Sequence, residues 1–122
     1  MTDGAPRDAT SFVHLISRPD WDAAVRAGQV RAPSLATEGF IHCCTIDQLC
    51  VTAGRHYPAA DDLLAVELDP ALLDAEVRWA ESHPGEWFPH VYGPLPVAAV
   101  TVVADLPRSP DGTFTLPPSL RG

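Results

Sequence analysis

The sequence predicts an α+β fold, with small mixed or antiparallel sheets and two main helices. Several short apolar runs are rich in β-branched and aromatic residues, which is typical of buried strands. Two other segments combine a helix-start signal with apolar residues at helical spacing. These segments do not alternate strictly along the chain, so the order favours α+β over a doubly wound parallel sheet.

The first strand is predicted from Phe12 to Ile16, a short, bulky and apolar run. The next four residues, from Ser17 to Asp20, match a helix start with proline in the first turn. The helix is expected to run to about Ala27 and to end at Gly28, because glycine readily adopts the left-handed conformation that ends helices.

A second strand is predicted from Phe40 to Cys44. Thr45 followed three residues later by Gln48 is a capping box, which predicts a helix from Ile46 to about His56. One side of that helix carries apolar residues at the spacing of a core stripe, namely Ile46, Leu49, Cys50 and Ala53.

Further strands are predicted at Leu63 to Leu68, Val77 to Trp79 and Val97 to Ala104, which gives roughly five or six strands in all. The 122 residues are enough for one domain, expected at residues 11–106. Residues 1–10 are predicted to be a flexible N-terminus and residues 107–122 a proline-rich tail outside the regular core.

Composition excludes several classes of function. The formal charge is -8 and every basic residue is arginine, so lysine Schiff-base chemistry is excluded and nucleic acid is a poor partner. The longest apolar stretch is far shorter than the ~20 residues of a membrane span. No signal peptide is recognisable, and the sequence therefore predicts a cytoplasmic protein. The expected partner is a small-molecule ligand at the histidine site described next, with no membrane partner. The sequence does not indicate the oligomeric state.

Histidines next to bulky apolar residues are the main candidate site residues. Side chains alternate along a strand, so His14 would share a face with Phe12, and His42 with Phe40. If the two strands pair, these histidines and His90 could meet in one cleft as acid/base or substrate-orienting groups. The alternative at each position is a neutral core histidine whose hydrogen bonds are satisfied.

No metal site is predicted, although His42, Cys43, Cys44 and Cys50 lie close in sequence. Adjacent strand residues face opposite ways, Cys50 belongs to the helix stripe, and there is no CxxC spacing. Three cysteines in such a chain favour free thiols, and Cys44 is interpreted as a buried small hydrophobic residue. Phosphate-loop, GxGxxG and GxSxG patterns are absent from the sequence.

Carboxylates are the other candidate group. Three glutamates, Glu76, Glu81 and Glu86, precede or interrupt the aromatic segment that contains His90 and Tyr92. Any one of them could approach these two side chains, and each could equally belong to a solvated acidic loop.

The order of these motifs resembles the bacterial family called domain of unknown function 952, from Phe12 to about Asp105. The motifs are His14, Trp21, Glu38-Gly39-Phe40-Ile41-His42-Cys43-Cys44-Thr45, Gln48, Arg78-Trp79 and Phe88-Pro89-His90-Val91-Tyr92-Gly93-Pro94-Leu95. The resemblance implies a fold similar to the ADP-ribosyltransferase superfamily, whose enzymes bind NAD in a cleft between two small sheets.

Carried over to this chain, the resemblance assigns a ribose-binding role to His14 and a second-strand role to His42. Tyr92 or Trp87 would offer a ring to the ligand. A carboxylate would contact the ribose where positive charge develops, as expected for glycosidic cleavage. Similar sequences carry Glu directly after the Arg-Trp pair, whereas here Ala80 intervenes before Glu81, which shifts the carboxylate by one residue.

These observations lead to the following site prediction. The catalytic candidates are His14, His42 and Glu81, and the substrate-binding candidates are His90, Tyr92, Trp87 and Thr45, with NAD as the candidate substrate. The predicted function is ADP-ribosyl transfer or glycohydrolysis. The alternatives are a non-catalytic protein that binds a small metabolite, or a histidine-pair acid/base enzyme acting on an unrelated substrate.

Overall fold

The computed structural model describes residues 11–120, so the predicted N-terminal segment 1–10 lies outside the described residues. Strands and helices mix without strict alternation, which confirms the α+β class. In chain order they are β1 (Phe12–Ser17), α1 (Arg18–Ala27), β2 (Gln29–Val30), α2 (Pro33–Thr37), β3 (Ile41–His42), α3 (Leu49–His56), β4 (Leu63–Leu68), β5 (Val77–His83), β6 (Glu86–Val91), β7 (Leu95–Pro96) and β8 (Val100–Asp105).

The strands form three antiparallel sheets with the orders β1-β4-β8, β2-β7 and β3-β6-β5. A backbone bridge joins the two larger sheets, because Val13 and Cys44 each donate their N–H to the carbonyl of the other, at 2.8 and 2.9 Å. This bridge holds the end of β3 beside β1, and it brings the two predicted histidine strands next to each other.

Helix α1 forms as its sequence predicts. The Ser17 side chain accepts a hydrogen bond from the Asp20 N–H at 3.2 Å and caps the first turn. Gly28 ends the helix with φ 85°, and its N–H donates to the carbonyl of Ala24. Only glycine takes this left-handed conformation without strain.

The second predicted helix is also present, as a 3₁₀ turn over Ile46–Gln48 that continues into α3. The Thr45 and Gln48 side chains form the reciprocal capping box. Leu49 and Ala53 are fully buried, whereas the other two stripe residues are only partly covered. The Gln48 side-chain amide also donates to the Trp87 carbonyl at 2.8 Å, which fastens the start of α3 to β6.

Three strand predictions differ from the structure. The strand predicted at residues 40–44 is paired with β6 only over Ile41–His42, and β5 continues four residues past Trp79 to form a hairpin with β6. The sequence analysis did not predict β6, since Pro89 interrupts a strand pattern. Residues 97–99, predicted as the start of the last strand, form a 3₁₀ turn in which the Val100 N–H donates to the Val97 carbonyl, so that β8 begins only at Val100.

The core has two clusters, one on each face of β1. Phe12 and Ile16 belong to the first, and Val13 and Leu15 to the second, as strand alternation requires. The second cluster includes Phe114 and Leu120, both buried, so this part of the proline-rich segment packs onto the core, although the sequence predicts that it lies outside. Among residues 11–120, no helix is long and apolar enough to cross a membrane.

Candidate functional site

Two histidines face each other across neighbouring strands. His42 on β3 and His90 on β6 are direct partners in the register, and the next residue, Cys43, donates its N–H to the Pro89 carbonyl at 3.1 Å. Because the hydrogen bond is made by the neighbouring residues, His42 and His90 form a non-hydrogen-bonded pair of the antiparallel ladder, the kind of pair in which facing side chains lie closest together. The imidazole centroids are 5.3 Å apart, with ring planes at 73°.

Two aromatic side chains extend the same face of the sheet. Phe40 lies two residues before His42 and Tyr92 two residues after His90, so alternation directs all four rings to one side. The Phe40 ring stacks on His90, with centroids 4.0 Å apart and planes at 11°. It also meets His42 at 4.8 Å and Tyr92 at 5.3 Å. We call Phe40, His42, His90 and Tyr92 the ring cluster.

A carboxylate holds one of these histidines. His42 Nε2 lies 3.0 Å from Glu38 Oε2, and both side chains are about half exposed. Since the ionised carboxylate can only accept, Nε2 carries the proton, and Nδ1 is the nitrogen with a lone pair when the ring is neutral. Such an exposed pair contributes little to stability, about 0–1 kcal/mol, but it orients the imidazole.

His14 supports the cluster from the neighbouring strand. Its Nδ1 donates to the His42 carbonyl at 2.7 Å. This carbonyl lies on the side of β3 away from β6, so the His14 ring supplies the hydrogen-bond donor for a backbone acceptor at the edge of the sheet. Burial lowers the pKa of His14, and the His42 charge lowers it further, while the hydrogen bond to the His42 carbonyl acts in the opposite direction. His14 is therefore a neutral imidazole that holds the main chain of His42 in position.

His90 lies deeper, and its ring is incompletely satisfied. The residue is 7% exposed, and its Nε2 is buried without a hydrogen-bond partner among residues 11–120. Burial and the nearby His42 charge lower its pKa, partly offset by Glu38. A buried polar atom without a partner costs about 1–3 kcal/mol, so native proteins rarely retain one unless a ligand, water or ion can reach it.

An exposed ion pair borders the cluster. Arg78 is the β5 partner of His90 in the register, and its guanidinium donates twice to the Glu76 carboxylate, at 2.9 and 3.0 Å. These hydrogen bonds, with the Arg78 charge, lower the pKa of Glu76. The guanidinium also lies over the Tyr92 ring, with Cζ 4.8 Å from the centroid, the geometry of a cation–π contact.

The structure brings four of the predicted site residues together, His14, His42, His90 and Tyr92. Three others lie elsewhere. Glu81 accepts a hydrogen bond from the Gly85 N–H at 2.7 Å and caps the β5–β6 turn. It is three residues from Arg78 on the strand, which places it on the opposite face. Trp87 and Thr45 belong to the link between β6 and the start of α3.

Residue-based reasoning missed two members of the site, Glu38 and Phe40. Both belong to the motif that carries the family resemblance, but neither was given a role. Strand alternation back from His42 points to Phe40, whereas no local pattern pairs Glu38 with the imidazole. That contact depends on the turn after α2, where Gly39 has φ 88°.

A partly open pocket lies in another part of the molecule. It has a volume of about 500 Å³ and lies between α1, residues 31–33 and the segment from Tyr57 to Leu63. Of the residues that the structure describes, no histidine lines it, and alanines form much of its wall. The ring cluster is thus a surface group that Phe40 covers, rather than the wall of this cavity.

The cysteines do not extend the site. Cys44 is 2% exposed, and burial raises its pKa to about 12, so it is a thiol and a poor nucleophile near neutral pH. Within residues 11–120, no three His, Cys, Asp or Glu side chains are arranged to hold a metal ion. That the protein binds no zinc stays a prediction.

The two buried histidines lead to a prediction about pH. Their pKa values are lowered in the folded state, so the unfolded chain binds more protons below the ordinary value of about 6.5, and stability must fall as pH decreases below it. We expect His14→Asn, which retains a donor near Nδ1 but does not titrate, to be less pH-dependent in urea unfolding between pH 7.5 and 5.5. His56→Asn, at an exposed position, is the control. Equal slopes in His14→Asn and the wild type would contradict the prediction.

Comparison with known proteins places this fold and site in context. The family model described as "Protein of unknown function (DUF952)" matches residues 15–103. The crystal structure of protein CC0527 from Caulobacter crescentus is 32% identical, with a TM-score of 0.82 over 91% of this chain and 98% of that chain. Its solution NMR structure gives 32% identity and a TM-score of 0.75 over 88% and 94% of the two chains. No match is found among curated proteins.

Proposed function

This chain belongs to the DUF952 family of proteins of unknown function, and we propose that it binds a small molecule at the ring cluster and transfers a proton there. One observation carries the proposal. The carboxylate-held His42 lies directly opposite His90, a buried histidine whose Nε2 has no hydrogen-bond partner in the described residues. A ligand at this face would meet an oriented acid/base group and a polar atom that lacks a partner.

Each side chain has a distinct role in this proposal. His42 receives or donates the proton at Nδ1, because Glu38 occupies Nε2 and stabilises the imidazolium that forms. His90 hydrogen-bonds the ligand through Nε2, and His14 positions His42 through its main-chain carbonyl. Proton transfer by a positioned side chain typically accelerates a reaction by 10²–10⁴-fold, by the usual order of magnitude.

NAD is the first ligand to test, in line with the sequence resemblance to the ADP-ribosyltransferase superfamily. Cleavage of its nicotinamide–ribose bond develops positive charge on the ribose, which a nearby carboxylate stabilises. In this proposal Glu38 takes the role that the sequence analysis gave to Glu81, since Glu38 contacts His42 and Glu81 lies on the other face of the sheet.

Thermal unfolding in the presence of NAD tests binding. A ligand at about 100 times its dissociation constant stabilises a protein by roughly 2.7 kcal/mol, which for this size corresponds to a melting shift on the order of 10 °C. We expect NAD or one of its fragments to produce such a shift, and His42→Ala and His90→Ala to abolish it. His56→Ala removes an exposed histidine outside the cluster and should keep the full shift.

Two outcomes would contradict this proposal in different ways. If NAD, NADP, ADP-ribose and nicotinamide at millimolar concentration all leave the melting temperature unchanged, the NAD hypothesis is wrong. If His42→Ala and His90→Ala retain the wild-type shift, the ligand binds elsewhere, and the cavity beside α1 becomes the next place to examine.

A further inference from the structure

The Phe40 ring fills the space between three other rings. It is stacked on His90 at 4.0 Å and meets His42 edge-on at 4.8 Å, with Tyr92 at 5.3 Å on a third side. The spacing to His90 is shorter than the ~4.5–7 Å usual for aromatic pairs. Phe40 thus covers the face of the imidazole and fills the position that a flat ring bound to this cluster would take.

Phe40 provides ring stacking to the cluster but no hydrogen bond. A phenyl ring has no hydrogen-bonding group, and the Nε2 of His90 stays buried without a partner within the part of the chain that the structure describes. A flat ring with a polar substituent would replace the stacking and could also supply the missing partner. The cluster therefore suits an aromatic ligand better than it suits Phe40.

Nothing in the core holds Phe40 in place. It belongs to neither core cluster and is only partly buried. It lies between α2 and β3, directly after Gly39, whose φ of 88° places the turn in the region that favours glycine. Rotating the ring away from His90 would remove no member of either core cluster.

We propose that Phe40 is a plug, and that the ligand of this site is a planar aromatic or heteroaromatic ring with a polar substituent, which binds by displacing Phe40 from His90. The inference rests on the proposed function, because it concerns the same cluster. It adds the chemical class of the ligand and the side chain that must move.

Displacement has a measurable cost. A site that is open in only 0.1–10% of molecules shows an apparent affinity roughly 10- to 1,000-fold below its intrinsic one. Phe40→Ala removes the plug, so this variant is expected to bind benzamide at least ~10-fold more tightly than the wild type, as measured by calorimetry. Cyclohexanecarboxamide has the same amide on a non-planar ring and is expected to show no such gain.

Two further variants complete the experiment. Phe40→Leu keeps apolar volume without a planar ring and is expected to bind benzamide with intermediate affinity, so it serves as the test if Phe40→Ala does not fold. Tyr57→Ala removes a half-exposed aromatic residue that lines the cavity beside α1 and is expected to leave the affinity unchanged.

Several results would overturn the plug. Weaker or equal benzamide binding by Phe40→Ala would make Phe40 a ligand contact or a bystander, and an equal gain for both carboxamides would indicate an unselective void. Absence of benzamide binding by the folded variant would also reject it. Each of these leaves the proposed function standing if NAD still stabilises the wild type. Conversely, the expected benzamide preference together with no release of nicotinamide from bound NAD would retain the plug and reject the proton-transfer site.

Discussion

Leu49→Ala is expected to lower the free energy of unfolding by about 2–5 kcal/mol, the usual cost of removing a large buried aliphatic side chain. Leu49 is fully buried in the second core cluster, where α3 packs against the sheet that contains β1. The loss combines the lost transfer free energy with the cavity that remains. Reversible urea unfolding monitored by circular dichroism measures it.

The neighbouring Val51 provides the matched control on the same helix. It is 55% exposed, so Val51→Ala should change the free energy of unfolding by about 0.5 kcal/mol or less. A loss below about 1 kcal/mol for Leu49→Ala would show that the side chain of α3 facing the core is not Leu49.

Glu38→Gln and His42→Ala are expected to reduce the rate of nicotinamide release from NAD by about 10²–10⁴-fold, because each removes one partner of the proton-transfer pair. Glu38→Gln keeps the size of the side chain and a hydrogen bond acceptor but loses the negative charge. Its NAD affinity should therefore change much less than its rate, a difference that single-turnover kinetics can separate.

Glu81→Gln is the matched control for the carboxylate. Its amide oxygen can still accept the Gly85 N–H at the β5–β6 turn, so the fold should be kept and the rate should be unchanged. If Glu81→Gln lost activity while Glu38→Gln kept the wild-type rate, Glu81 rather than Glu38 would be the catalytic carboxylate. Binding of NAD without release of nicotinamide by the wild type would mean that the site holds the ligand without the chemistry.

Local signals predicted the parts of the fold that depend on neighbouring residues. The Ser17 cap, the Gly28 stop and the Thr45–Gln48 capping box act over three or four residues, and all occur where the sequence predicts them. The hairpin of β5 and β6 was not predicted as a hairpin, because β6 contains proline and has no clean alternation. Strand β6 also pairs on its other edge with β3, more than 40 residues earlier in the chain, which no local pattern indicates.

The same distinction applies to the candidate site. Alternation and position in the chain indicated His14, His42, His90 and Tyr92, and the structure brings these four together. Sequence reasoning did not identify Glu38 as the carboxylate, although Glu38 lies only four residues before His42, because their contact depends on the conformation of the turn at Gly39. The face on which a β5 side chain lies depends on the β5–β6 register, because a shift of one residue moves the side chain to the other face. In the observed register Arg78 lies beside His90, whereas Glu81, three residues later, lies on the opposite face.

The sequence by itself determined the helix ends, the apolar stripe around Leu49, the α+β class and the motifs of the family, since these follow from short-range geometry and composition. Only the tertiary structure decided that Glu38 contacts His42, that Phe40 covers His90 and that Phe114 joins the core. The Glu38–His42 contact depends on the turn at Gly39, and the other two contacts join segments that are far apart in the chain. Those distant contacts form because strand pairing and the burial of apolar surface bring the segments together, which no local pattern in the sequence specifies.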